Sequence, residues 1–276
     1  MLKFRIVGFI LLMALLGGIF FWQAGGVWLF IAAAPAMVGA AVGECCAMLD
    51  RSGRPALALP AGLAVWLCAV GCTLGMLDPA AFQATAILAA LLILCCCASL
   101  LRMKEDLLLR IVTSAGAAAL FAPPLILLLL TYFLPERGVW LLYLCLVTKA
   151  TDTGGYIVGT LTAKLPGGNH KIAPKVSPKK SYEGLLGGVL LSVAVSLAFY
   201  RFAPAGKIVW YLLAALVLSF GSFFGDLTES AVKRFCGVKD SGSFVPGMGG
   251  AFDVLDSFIY NGLLFWPLYL MKDLLQ

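Results

Sequence analysis

Over the last third of the chain, carboxylates, ammonium groups and glycines crowd into one short stretch. Asp226, Glu229, Ser230, Lys233 and Arg234 are followed by Lys239-Asp240, the turn Pro246-Gly247-Met248-Gly249-Gly250, and then Asp253 and Asp256. Ionisable groups at membrane depth are costly unless paired, solvated or bound to a metal, so such a cluster marks a functional site. Asp226, Glu229, Ser230 and Lys233 recur at spacings of three and four, which lines them up along one helix face. Asp253 and Asp256 lie three apart, so on a helix their carboxylates face the same way. Such a pair repels itself unless a cation lies between, and Mg2+ takes one or two carboxylates together with phosphate oxygens. An Asp-x-x-Asp pair alone is a weak signal, because helix N-termini favour acids anyway. Asp226, Asp240, Asp253 and Asp256 alternating with Lys233, Arg234 and Lys239 suit a metal ion and phosphates better than a simple ion pair.

Upstream, Lys149 and Asp152 are also three apart and can neutralise each other on a helix. Gluing two helices together would explain that pair, but Gly154, Gly155 and Gly159 beside it favour close backbone approach to a ligand, with Tyr156 among them. Residues 164–184 read as a loop, since Pro166, Pro174 and Pro178 block a continuous helix and Gly167-Gly168 favours a turn. Lys171, Lys175, Lys179 and Lys180 make it cationic. Topology alone accounts for a plain lysine run, whereas Ser177-Pro178-Lys179-Lys180-Ser181-Tyr182-Glu183-Gly184 sets hydroxyls, ammonium groups and an acid at a helix start, where backbone N–H groups attract anions.

The elements that must position these groups are membrane helices. The 276 residues are 62% hydrophobic and 12% charged, far from a soluble domain. Nine apolar stretches, near 5–22, 27–49, 57–77, 80–101, 108–134, 139–161, 185–203, 208–235 and 253–271, are long enough, or nearly so, to cross a bilayer as helices. The expected fold is therefore an all-α polytopic helical bundle. Lys3 and Arg5 precede a first stretch without a clear cleavage pattern, which reads as a retained anchor. With the N-terminus cytoplasmic, fifteen of the 20 basic residues fall on the cytoplasmic side, as the positive-inside rule requires. The net charge of +6 reflects that topology and attraction to membrane lipids, and is no argument for nucleic acid.

Residues 1–110 are expected to form a four-helix scaffold, and 111–276 a catalytic region with cytoplasmic loops 162–184 and 236–252. Glu44 is the one acid inside the scaffold, and snorkelling to the surface explains it as well as a role does. The nine cysteines lack paired metal-ligand spacing and read as small apolar filler.

Ser230, Lys233-Arg234, Lys239-Asp240, Pro246-Gly247, Gly249-Gly250, Asp253 and Asp256 resemble, in order and interval, the C-terminal pattern of the phosphatidate cytidylyltransferases, the CDP-diacylglycerol synthases. Asp152, Tyr156, Gly159 and the Ser177–Gly184 run look like that family's second region, so the likeness covers about residues 145–260. Two positions depart from it: Met248 stands where the family usually has His, and Val254 where it usually has Arg. The only histidine, His170, lies in the 164–184 loop.

The resemblance implies that CTP and phosphatidic acid give CDP-diacylglycerol and pyrophosphate at the inner membrane, on its cytoplasmic side, in a homodimer. It implies Mg2+, with room for a second, monovalent cation. Asp226, Asp240, Asp253 and Asp256 would bind the metal, and Lys233, Arg234 and Lys239 the phosphates. Lys149, Asp152, Tyr156, Lys171, Lys175, Ser177, Lys179, Lys180, Glu183, Ser230, Gly249 and Gly250 would complete the nucleotide and lipid-phosphate site. Two rivals are a CTP-dependent kinase of a lipid alcohol, which needs a base to deprotonate its acceptor, and an ion-coupled transporter lined by Lys149, Asp152, Asp226 and Asp253. The concentration of charge toward one side argues against transport.

Overall fold

The structure, a computed structural model, describes residues 14–22, 25–100, 106–202, 207–245, 249–272 and 274, and of residues 89 and 92–100 the backbone alone. Lys3, Arg5, the start of the first span, Pro246, Gly247, Met248 and the side chains of Cys95, Cys96 and Cys97 lie outside that description.

After a helical stretch at 14–21 come α1 (Gly26–Arg51), α2 (Ala58–Gly75), α3 (Pro79–Leu100), α4 (Leu107–Leu130) and α5 (Val139–Thr162). A two-stranded hairpin, β1 (Lys171–Ala173) and β2 (Ser177–Ser181), leads into α6 (Tyr182–Tyr200), α7 (Ile208–Phe235), α8 (Ala251–Leu255) and α9 (Phe258–Met271). Among the described residues, six segments are long and apolar enough to cross a membrane. The chain is thus an all-α polytopic integral membrane protein whose helices follow the apolar runs closely. Helix α5 fills the expected sixth span, but Lys149, Asp152 and its glycines interrupt the apolar run.

Two local differences from expectation bear on the site. The loop at 164–184 contains the antiparallel hairpin, with Lys171 opposite Ser181 and Ala173 opposite Ser177. Pro178 fits there because a two-stranded ribbon leaves outer edges where no ladder N–H is needed. The expected ninth helix is also broken: α8 ends at Leu255 and α9 starts at Phe258. At the break the Ser257 N–H donates to Asp256 Oδ1 at 2.5 Å, and Asp256 lies outside α8, the helix that carries Asp253.

The chain divides into two compact units, Met1–Pro135 with Lys233–Leu255, and Glu136–Val232 with Asp256–Gln276. In the first, Phe30 stacks on Tyr132 with ring centroids 4.2 Å apart, and Phe121 meets Phe252 edge-on at 5.0 Å. Arg110 bonds Asp50 at 3.0 Å, and the Arg54 guanidinium lies 3.6 Å over the Phe235 ring. In the second, Trp140, Tyr143, Trp210, Tyr211 and Phe265 are fully buried. The Trp210 indole donates to the Leu268 carbonyl at 2.7 Å, which satisfies the polar atom that burial would otherwise strand. Helices α5 and α6 pack backbone to backbone, since a Cβ on Gly154 or Gly187 would collide with the facing helix.

Candidate functional site

In the second unit, α5 presents Asp152 on its inner face, where both oxygens are engaged. Oδ2 accepts from Lys149 Nζ at 3.0 Å and from Ser257 Oγ at 3.0 Å, and Oδ1 accepts from Ser222 Oγ at 2.8 Å. The Ser257 hydroxyl also lies 2.9 Å from Asp256 Oδ1, so one serine joins the carboxylates of Asp152 and Asp256. The Lys149 ammonium sits 4.9 Å over the Phe258 ring. These contacts supply the polar partners that charged groups within an apolar helix require.

Asp226, Glu229 and Asp256 come together next. One carboxylate oxygen from each lies within 4.8 Å of the others, and Glu229 is buried. Asp226 and Glu229 come from adjacent turns of α7, as the helical spacing requires, while Asp256 comes from the break before α9. Three carboxylates this close repel one another, and a hard cation is what such an all-oxygen donor set accommodates. One cation already stands there: Lys180 Nζ lies 3.0 Å from Asp226 Oδ2. The same ammonium donates to the Phe223 carbonyl at 2.8 Å and lies 4.4 Å from the Phe223 ring centroid.

Asp226 and Lys180 line a cavity of about 680 Å³, together with Asp152, Tyr156, Lys164, Lys171, Ser177 and Lys179. Its floor is the glycine-rich face shared by α5 and α6, with Gly155, Gly159, Gly184 and Gly188. The hairpin supplies Lys171, Lys179 and Lys180. Its base is held where the Ser181 hydroxyl caps α6 by accepting from Gly184 N at 3.1 Å. Glu183 clasps His170, whose N–H donates to both carboxylate oxygens and whose Nδ1 lies 2.6 Å from Oε1. A cavity lined by four lysines and two aspartates is suited to a polyanion carrying a divalent ion. Lys175 sits at the exposed hairpin turn, and Ser230 Oγ reaches Asp226 Oδ1 at 3.5 Å.

In the first unit, Asp253 is surrounded by donors. Gly250 N–H donates to Oδ2 at 2.8 Å, Ser241 N–H bifurcates to both oxygens, and Lys233 Nζ lies 3.1 Å from Oδ1. Glu44 of α1 accepts from Ser241 Oγ at 3.0 Å and from Phe252 N–H at 3.1 Å. Gly242 and Gly250 make room for it, since a Cβ on either would collide with the Glu44 carboxylate. Gly249 takes φ +107° and pairs with Val245, whereas Arg234, Lys239 and Asp240 are exposed.

The structure thus brings Asp226 and Asp256 together and places Asp253 with Lys233. Four participants were not among the sequence candidates: Glu229, Ser222, Ser257 and Glu44. Glu229 was visible in the polar stripe, and Glu44 as a lone acid in an apolar run. Ser222 and Ser257 carried no signal, because serine is common in membrane helices.

The family model described as the cytidylyltransferase family matches residues 3–271. The chain is similar to proteins named phosphatidate cytidylyltransferase. That of Staphylococcus aureus (strain COL) is 43% identical over 122 residues, 44% of this chain and 45% of the relative. That of Staphylococcus epidermidis (strain ATCC 35984) is 43% identical over 133 residues, 47% and 49% of the two chains. That of Staphylococcus haemolyticus (strain JCSC1435) is 43% identical over 122 residues. The chain spans about half the length of the curated relatives it matches.

Proposed function

The chain belongs to the cytidylyltransferase family, and from that premise we propose that it transfers the cytidylyl group of CTP to phosphatidic acid, giving CDP-diacylglycerol and pyrophosphate. An oxygen of the lipid phosphate attacks the α-phosphorus of CTP in line. The bond from that phosphorus to the bridging oxygen of the β-phosphate breaks, and its electrons leave with pyrophosphate. A phosphate monoester is already anionic at neutral pH, so this chemistry needs no strong general base. The single histidine, paired with Glu183, is consistent with that.

The observation that carries the proposal is the acidic triad opening through Asp226 onto a lysine-lined cavity. Asp226, Glu229 and Asp256 fit a magnesium ion. When bound, the ion offsets the charge that clusters where two phosphorylated substrates meet. Of the four aspartates expected to hold it, the proposal retains Asp226 and Asp256 and adds Glu229. Lys171, Lys179 and Lys180 hold phosphates, and Ser177 with the glycine floor lets the nucleotide approach the backbone. Asp152 keeps Asp256 oriented through Ser257. Asp253 orders the loop that carries Ser241 and Gly250 and steadies Lys233 for a phosphate. Positioning and electrostatic stabilisation then provide most of the rate. The remaining parts of the proposal are an active site on the cytoplasmic side of the cell membrane, residues 1–110 as scaffold, and a homodimer.

Purified protein given cytidine-labelled CTP, phosphatidic acid and magnesium should form a cytidine-bearing lipid and release pyrophosphate. Formation of CDP and a phosphorylated lipid alcohol instead would establish the kinase and overturn the proposal.

A further inference from the structure

The Lys180–Asp226 contact is not an ordinary surface ion pair. Lys180 is 14% exposed and Asp226 37%, and the ammonium has a built seat: the carboxylate at 3.0 Å, the Phe223 carbonyl at 2.8 Å and the Phe223 ring beneath. Yet the Asp226 carboxylate is also a member of the triad with Glu229 and Asp256, and Lys180 also lines the cavity where phosphates bind under the reading above. One ammonium therefore serves two places that substrate loading fills differently.

We propose that Lys180 is an exchangeable counter-ion: it neutralises Asp226 in the resting protein, yields that carboxylate to the divalent ion, and turns to the phosphates of the nucleotide. This rests on the reading of Asp226, Glu229 and Asp256 as the metal site. Two cations cannot both crowd one carboxylate at contact distance without mutual repulsion, so ammonium and divalent ion compete. The competition keeps the triad weakly occupied while the cavity is empty. Phosphates remove the competitor by offering Lys180 another anion, so nucleotide and metal favour each other's binding, and the coupling is reciprocal. Lys180 sits on β2, immediately before the Ser181 cap of α6, so its exchange also tells the hairpin whether the site is loaded.

The test is Mn2+ binding alone, followed by EPR on purified full-length protein in detergent without nucleotide. Lys180→Met keeps most of the stem and removes the ammonium. It should bind Mn2+ about three- to tenfold tighter than wild type, the release of a part-buried pair, while CTP binding weakens. Lys179→Met removes the same charge from the cavity wall and should change Mn2+ affinity less than about twofold, as expected of a screened charge. Lys180→Arg keeps a cation on Asp226 and should bind Mn2+ as wild type does. Equal or weaker Mn2+ binding by Lys180→Met would overturn the exchange and leave Lys180 a fixed pin of the hairpin. If Asp226→Asn and Asp256→Asn bind Mn2+ as wild type does, the metal site itself is misplaced, a separate failure.

Discussion

Asp253 in the first unit and Asp256 in the second are three residues apart in sequence, yet they keep different company. Asp253 accepts from two backbone N–H groups and a lysine, and its neighbour Glu44 accepts from a hydroxyl and a backbone N–H. Each of these acids is satisfied by the protein's own donors and holds a loop in shape. Asp256 accepts from the Ser257 N–H and hydroxyl, but it also shares a 4.8 Å neighbourhood with Asp226 and Glu229, whose mutual repulsion a cation relieves. The comparison separates two uses of an acid in a membrane protein. Acids met by donors order the chain, and acids met by other acids create a demand for a ligand.

Substitutions at the two kinds of acid should therefore fail differently. The largest effect is expected from Asp226→Asn or Asp256→Asn, which should lower labelled-lipid formation by about 100- to 1000-fold. Their melting temperature without metal should stay close to wild type, because each relieves repulsion, although Asp226→Asn also gives up its pair with Lys180. A clear loss of metal-free stability in both would erase the contrast. Next come Asp253→Ala and Glu44→Ala, each stripping acceptors from buried donors at a cost of about 1–3 kcal/mol. Thermal melting in detergent should show the loss equally with and without magnesium, and dependence on magnesium would move these acids into the other class. The smallest effect belongs to Ser222→Ala, which removes one of three donors to Asp152 and should cost about 0.5–1.5 kcal/mol. Turnover that falls as far as in Asp226→Asn would give Ser222 a larger part than orientation.

How much of this was legible follows the range of each interaction. Helices of about twenty apolar residues announce themselves, and the Lys149–Asp152 pair and the Asp226–Glu229 stripe are written in spacings of three. The break at Asp256 was not, because 251–271 stays apolar across a turn of two residues and hydropathy does not register it. The hairpin was hidden by prolines and lysines, which mark a loop more loudly than so short a strand marks itself. Lys180 meeting Asp226, and Glu44 meeting Ser241 across 197 residues, are tertiary contacts that no local pattern encodes. The scaffold consequently looked inert, although one of its side chains orders the loop that carries Gly249 and Gly250.

Iron(II) in place of magnesium, activated by ascorbate and peroxide, cuts the backbone beside its own binding site, and mass spectrometry locates the cuts. The account predicts cuts near residues 226–229 and near 256. Cuts confined to residues 240–253, or none above the background of free iron, would contradict it.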